Sequence, residues 1–442
     1  MSNIKELKQA ALTAIDANRA RIIAIGKQIF ANPELGYKEV KTSALVREVF
    51  GELGLKFTDG HAVTGMKARV KGAESRAAVC VMGEMDAVVC PTHKYADAQT
   101  GAAHSCGHHA QVAAMLGTAM GLLPIMKDLC GDVVFFAVPA EEYVEIAYRE
   151  SLRKEGKIHY FGGKQQLIAE GAFDDVDMAL MVHSTTDMGN VAAVPNGGLG
   201  FIGKTVRFKG RAAHAASPHM GVNALNAATI ALTCINGLRE TFRDEDGVRV
   251  HPIITKGGDL VNVVPADVRM ETYVRANNID AIRTANAAVT RAIRGAAYAM
   301  GVEVEITDFE GYVPYDHNEM LADTFAAEAR ELLGAETVVP HGPFSGSTDV
   351  SDLGLVIPVI QPVVGGFTGA AHSEDFAVSD EEWAYIVPAK LMAMTVIDLL
   401  ADGAEKALAV KASQPRGSAK TYGEMWDALL GKNDADKLEA LR

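Results

Sequence analysis

The sequence predicts an α/β protein that carries an inserted α+β unit, and three observations carry the prediction. Short apolar runs of strand length alternate with helical stretches over most of the chain, the pattern of strands buried on both faces in a parallel sheet. Between about residues 200 and 309 the order changes to strand, helix, strand, strand, helix, strand. Turn-forming residues stand where the chain leaves the first pattern and where it returns to it.

Residues 1–30 alternate charge with apolar side chains at helical spacing, and they lack the uninterrupted apolar core of a signal peptide. Residues 77–83, 132–138, 177–182 and 355–361 read as buried strands, with helices between them at 112–123 and 321–333. The middle segment reads as strand 204–209, helix 223–242, strand 248–255, strand 267–275, helix 279–300 and strand 302–307. That βαββαβ order is the ferredoxin-like arrangement, a compact unit suited to insertion. Pro195, Asn196, Gly197 and Gly198 mark the exit, and the return falls near 311–314. After residue 401 the chain is richer in charge, and Gln414 to Ser418 read as a linker before a helix at 422–430.

At 442 residues the chain exceeds the length at which one core usually keeps growing, so two domains are expected. A formal net charge of −14 argues against nucleic acid or an anionic membrane as main partner. Five cysteines, Cys80, Cys90, Cys106, Cys130 and Cys234, are odd in number and sparse. They resemble reduced thiols more than a disulfide framework. No apolar run is expected to span a bilayer, and a soluble, cytoplasmic protein is the reading.

Chemistry concentrates at His104-Ser-Cys-Gly-His-His109, three imidazoles and a thiol in six positions ahead of an apolar helical run. Thiolate and imidazole are preferred ligands of zinc and its neighbours, and the glycine between Cys106 and His108 lets both donors converge. A helix start also favours the ionised thiol. Cys90 with His93 is a second candidate pair, but no matching pair stands near it.

Further donors stand at strand ends. Asp86 follows the first strand, Glu141 and Glu142 the second, His183 ends the third, and His372 follows the fourth. In open α/β sheets ligands bind at the carboxyl ends of strands, so these groups are expected to meet in one cleft. Two adjacent carboxylates after a buried strand are costly to desolvate unless they are paired or bound to metal. Neighbours on a regular strand point to opposite faces, so Glu141 and Glu142 both reach the cleft only where the strand end bends.

Several segments together carry a family resemblance: Asn32-Pro-Glu-Leu-Gly-Tyr37, Gly83-Glu-Met-Asp-Ala87, His104-Ser-Cys-Gly-His108, Pro139-Ala-Glu-Glu142, Gly210-Arg-Ala-Ala-His214 with Ser217-Pro218, and Ala371-His-Ser-Glu-Asp-Phe376. The chain resembles the aminoacylase and carboxypeptidase-G family of co-catalytic metallopeptidases, in the amidohydrolase branch of hippurate, auxin-conjugate and aminobenzoyl-glutamate hydrolases. The resemblance implies a phosphorylase/hydrolase-like metallopeptidase domain at 1–198 and 312–442, with a lid and dimerisation domain at 199–311. It implies two divalent ions per subunit held by Cys106, His108, Glu142, His183 and His372, with Glu141 as general base and Asp86 orienting a ligand. Zinc or manganese is expected, with cobalt or nickel also compatible with the donors.

The same resemblance implies hydrolysis of an amide in N-acyl amino acids or aminoacyl conjugates, aminobenzoyl-glutamate-like compounds among them, by a metal-bound water that Glu141 deprotonates. A small dipeptidase is the alternative, and a non-catalytic metal-binding homologue is the reading from another class. His214 is implied as the donor to the oxyanion, often supplied by the partner subunit, and Asn262 as a substrate contact. Ser347 and Thr348 lie in a run resembling the segment near the substrate carboxylate. A small-molecule substrate and a homodimer or higher homo-oligomer are the expected partners. The chain departs from its relatives in a longer connection between Glu142 and His183, with the extra residues around 146–163. An insertion leaving from the catalytic carboxylates is expected to line or cover the substrate pocket.

Overall fold

A computed structural model describes residues 4–186, 188–340 and 342–431, and these divide into two compact units. The first contains the described residues within 4–196, 316–343 and 349–422, and the second those within 197–315, 344–348 and 423–431.

The first unit is built on a six-stranded mixed sheet in the order Phe57–His61, Gly65–Val70, Asp132–Val138, Ala78–Glu84, Met178–Leu180, Val359–Ile360. The first two strands form an antiparallel hairpin at one edge, and every pairing from Asp132–Val138 onward is parallel. Ala78–Glu84 and Asp132–Val138 are buried at every residue, which is why they read as continuous apolar runs. Helix His108–Leu122, buried along its whole length, packs on this sheet with Ile4–Ala17, Arg19–Phe30 and Val387–Leu400.

Differences from the sequence expectations are local. The helix expected at 112–123 starts at His108, so its first turn takes in the last two residues of the crowded cluster. The strand expected over 355–361 is only Val359–Ile360, preceded by a short helix Val350–Gly354. Contrary to expectation, the helical stretches His108–Asp128 and Glu382–Leu400 are long and apolar enough to cross a bilayer by length and composition. They are 89% and 83% buried in the protein, so their apolar surface is consumed by the core.

In the second unit four antiparallel positions run in the order Arg249–Val250 with Ile253–Lys256, Asp267–Ala276, Gly200–Lys209, Glu303–Glu310. The central pair is in register over ten residues, from Gly200 opposite Ala276 to Lys209 opposite Asp267. Burial alternates along Asp267–Ala276, the period-2 mark of a sheet with one covered face. Helices Ala224–Leu238 and Ile279–Ala299 cover that face, capped by Asn223 and Asn278 through side-chain acceptance of backbone N–H groups.

Candidate metal centre

The parallel strands deliver their donors at their carboxyl ends. Glu84 is the last residue of one strand and Asp86 lies just beyond it. Three residues past Val138, the chain reaches Glu141, and His183 follows Met178–Leu180 after two residues. His372 lies on the loop between Phe367–Thr368 and Ala377–Val378, with φ of 61° and its backbone N–H on Ser105 O at 2.8 Å. Ala140 has φ of 56°, so the chain turns sharply after the strand and both Glu141 and Glu142 enter the site.

Gly107 has φ of 95°, a left-handed turn that separates Cys106 from the helix opened by His108. A Cβ there would meet Ser184 Oγ at 2.6 Å, so glycine is required on both counts. His108 Nδ1 lies 2.9 Å from Asp86 O, and His183 Nδ1 lies 3.1 Å from Ser184 O. Donation from Nδ1 to a carbonyl turns each Nε2 into the site.

Three groups of donor atoms converge there, each within 4.8 Å: Cys106 with His108 and His183, Cys106 with Glu142 and His372, and Glu84 with His108 and Glu141. Cys106 Sγ lies 3.6 Å from His183 Nε2, His372 Nε2 3.0 Å from Glu142 Oε1, and His108 Nε2 3.2 Å from Glu84 Oε2. Donors sharing one ion at bonds of about 2.0–2.3 Å stand roughly 3.0–3.6 Å apart, so the set fits a divalent metal. His108 Nε2 is buried without a hydrogen-bond partner, a cost that a cation removes.

The electrostatics agree. Burial raises the Cys106 thiol, but His108 and His183 outweigh it and hold the thiol well below its usual range. Burial lowers His183, and Cys106 reverses this and raises it. Positive charge is therefore favoured at the imidazole nitrogens, whether proton or metal. Burial, then Glu84 and Glu142, push the Glu141 carboxyl well above its ordinary value. Burial and Cys106 raise Glu142 to about 7 against the opposing pull of His372.

Asp86 braces this arrangement. Its Oδ1 lies 3.3 Å from His108 Nδ1, and its Oδ2 accepts the Glu142 N–H at 2.8 Å. Glu84 is the residue that sequence reasoning missed, although it stands inside the quoted Gly83-to-Ala87 segment. Its position two residues before Asp86, at the end of a fully buried strand, was the available signal. Lys164 and Asp349, both buried, were also missed.

His104 and His109 are fully buried but point elsewhere. Their rings stand 5.4 Å apart, and His109 packs against Phe30, Phe367 and Tyr385. Burial pushes His104 down to about 3. His93 spends both nitrogens on the backbone, at Phe376 O and at the N–H of Tyr95, so it makes no metal pair with Cys90.

In the second unit His214 and Asn262 are exposed neighbours, joined by the Ala215 N–H on Asn262 O at 2.9 Å and a bridge between His214 and Val263. His214 Nδ1 accepts the Ala216 N–H at 3.0 Å, which leaves Nε2–H as an outward donor. Ser347 Oγ is buried without a hydrogen-bond partner, and Thr348 is buried beside it in sequence. A cavity of about 480 Å³ is lined by Arg249, His251, Tyr273, Arg275 and Ser345 among others. Arg249 stands opposite Arg275 in the sheet, and among the described residues neither forms an ion pair.

With this geometry the comparisons agree. Residues 80–396 match the model of peptidase family M20/M25/M40. The mouse Xaa-Arg dipeptidase is 28% identical over 419 residues, 90% of each chain. The N-acyl-L-amino acid amidohydrolase of Geobacillus stearothermophilus is 24% identical over 69% of this chain and 81% of its own. A solved dinuclear metal-binding M20 peptidase of Bacillus subtilis superposes with a TM-score of 0.67 at 23% identity, covering 87% of this chain and 99% of that one. The family match spans well over half of the chain: the protein belongs to peptidase family M20/M25/M40 and is a hydrolase acting on amide bonds.

Proposed function

We propose that the protein is a metal-dependent amidohydrolase that cleaves N-acyl amino acids or aminoacyl conjugates. The observation that carries this reading is the convergence of Cys106, His108, Glu142, His183 and His372 beside Glu141, whose Oε2 lies 3.9 Å from His108 Nε2. A dipeptidase is the second reading, supported by similarity to the Xaa-Arg dipeptidases of mouse and human.

Cys106 belongs to two donor groups, so it would be shared between two ions, one with His108 and His183 and one with Glu142 and His372. When bound, such ions supply Lewis-acid polarisation of a carbonyl and bring the pKa of water to about 7. Zinc or manganese suits the mixed donors, with cobalt and nickel also acceptable. Glu141 takes the proton of the attacking water on its carboxylate and passes it to the leaving amine, a role suited to a carboxyl raised by burial. Asp86 keeps His108 and the Glu142 backbone in place, and Nε2–H of His214 donates to the oxyanion.

The second unit, read from sequence as 199–311, takes the part of a ferredoxin-like lid and dimerisation domain in this reading. Its strand Glu303–Glu310 stands at a sheet edge, a surface suited to pairing with a second copy. Asn262, Ser347 and Thr348 serve substrate binding. Arg275, ringed by Phe201 and Tyr273 at 5.6 Å, supports a substrate bearing a free carboxylate. Cytoplasmic placement is part of the same reading and draws on five unpaired cysteines.

The test is a hydrolysis screen over N-acyl amino acids and dipeptides with protein of measured metal content. Turnover that requires divalent metal and is lost in Glu141→Gln supports the mechanism. Full activity in Glu141→Gln, or in metal-stripped protein, overturns it.

A further inference from the structure

We propose that Glu84 is a further anionic donor of the metal centre, and that Lys164 is the positioning residue that aims it. The proposal deepens the metal-centre reading and rests on it.

Lys164 is fully buried, with Nζ at 2.5 Å from both Glu84 Oε1 and Asp349 Oδ1. Its backbone N–H also donates to Asp349 Oδ2 at 2.8 Å, so side chain and main chain grip the same carboxylate. One oxygen of Glu84 is thereby fixed on the ammonium. The other, Oε2, takes Gln111 Nε2 at 2.8 Å and faces His108 Nε2 at 3.2 Å. His108 Nδ1 faces Asp86 O, which turns the buried Nε2 onto the Glu84 carboxylate. An imidazole nitrogen and a carboxylate oxygen hold that separation only with positive charge, a proton or a metal ion, between them.

Charge counting points the same way. One ammonium against two carboxylates leaves this buried network net negative, and such a network is costly unless a second cation completes it. Glu84 meets that cation together with His108, in the third convergent group, where Glu141 stands beside them as the base.

The connection between Glu142 and His183 is what brings Lys164 here. Helix Gly163–Ala169 starts against the turn after Asp132–Val138, with the Gly163 N–H on Ala140 O at 3.0 Å. A Cβ on Gly163 would stand 1.6 Å from Pro139 O, so this approach requires glycine. Upstream, helix Ile146–Lys154 buries Arg149 completely, and its guanidinium donates to the carbonyl of Glu142 and to Phe161 O. The extra residues, Arg149 among them, thus brace the turn that carries the carboxylates.

The test titrates metal-free protein with Co2+ against a chromophoric chelator and records the visible ligand-field bands. Wild type is compared with Glu84→Gln, Lys164→Met and the double variant. Each single change is expected to weaken Co2+ about 10- to 100-fold and to shift the bands alike, with the double no worse than either. A folded Lys164→Met or Glu84→Gln protein with wild-type affinity and bands overturns the proposal. If Lys164→Met does not fold, the charge-matched double variant decides by the same two readouts. Wild type that takes up no Co2+ overturns the metal-centre reading together with this one, a result distinct from unchanged variants.

Discussion

Asp86 Oδ2 accepts the backbone N–H of Glu142 at 2.8 Å while Oδ1 of the same carboxylate lies 3.3 Å from His108 Nδ1. One buried side chain thus ties a helix donor to a strand-end donor, and both of its oxygens face N–H groups.

Asp86→Asn turns one of those oxygens into a donor that meets another donor. Metal affinity is expected to fall about 10- to 100-fold, measured by chelator competition on folded protein. Unchanged affinity would remove Asp86 from its bracing role.

Glu141→Gln keeps the shape of the side chain but cannot accept a proton. Catalytic turnover is expected to fall about 100- to 10,000-fold while metal content, read by elemental analysis, stays at the wild-type level. A variant that loses its metal instead would make Glu141 a ligand rather than a base.

Gly163→Ala places a methyl group against Pro139 O, where 1.6 Å is available. Destabilisation of about 1–3 kcal/mol or more is expected, read as a lowered denaturant midpoint. An unchanged midpoint would mean that the turn after the strand yields freely.

Acid stability should carry a contribution from Asp267, whose carboxyl is pulled down to about 2 by Arg207 first and by Lys256 and Arg269. Its unfolded value is about 3.9, so the folded pKa is depressed. The contribution is present above the unfolded value and disappears as pH falls through the folded one. Wild type should therefore exceed Asp267→Asn in urea midpoint above about pH 4, and the gap should close towards pH 2. A gap independent of pH would assign the effect to packing.

Much of this was legible in the chain. Fully buried strands such as Asp132–Val138 announce themselves as unbroken apolar runs, and the middle segment betrays its change of architecture by its period. Cys106, His108, Glu142, His183 and His372 are residue types that bind metal, and each could be placed at a strand or helix end. The strand at 355–361 was misjudged because a short helix and a two-residue strand share that apolar stretch. Periodicity does not separate such short pieces.

The sequence by itself determined the donor chemistry and its local spacing, because Cys106, Gly107 and His108 act within a single turn. Only the tertiary structure decided which face Glu141 and Glu142 share, through the φ of 56° at Ala140. It also decided that Glu84 joins them, held by a lysine 80 residues away that is itself held by Asp349, a further 185 residues on. Spacing within a turn is set by neighbouring dihedral angles. Which buried cation compensates which carboxylate is set by packing between distant segments, where each unpaired charge is costly and no local pattern records the partner.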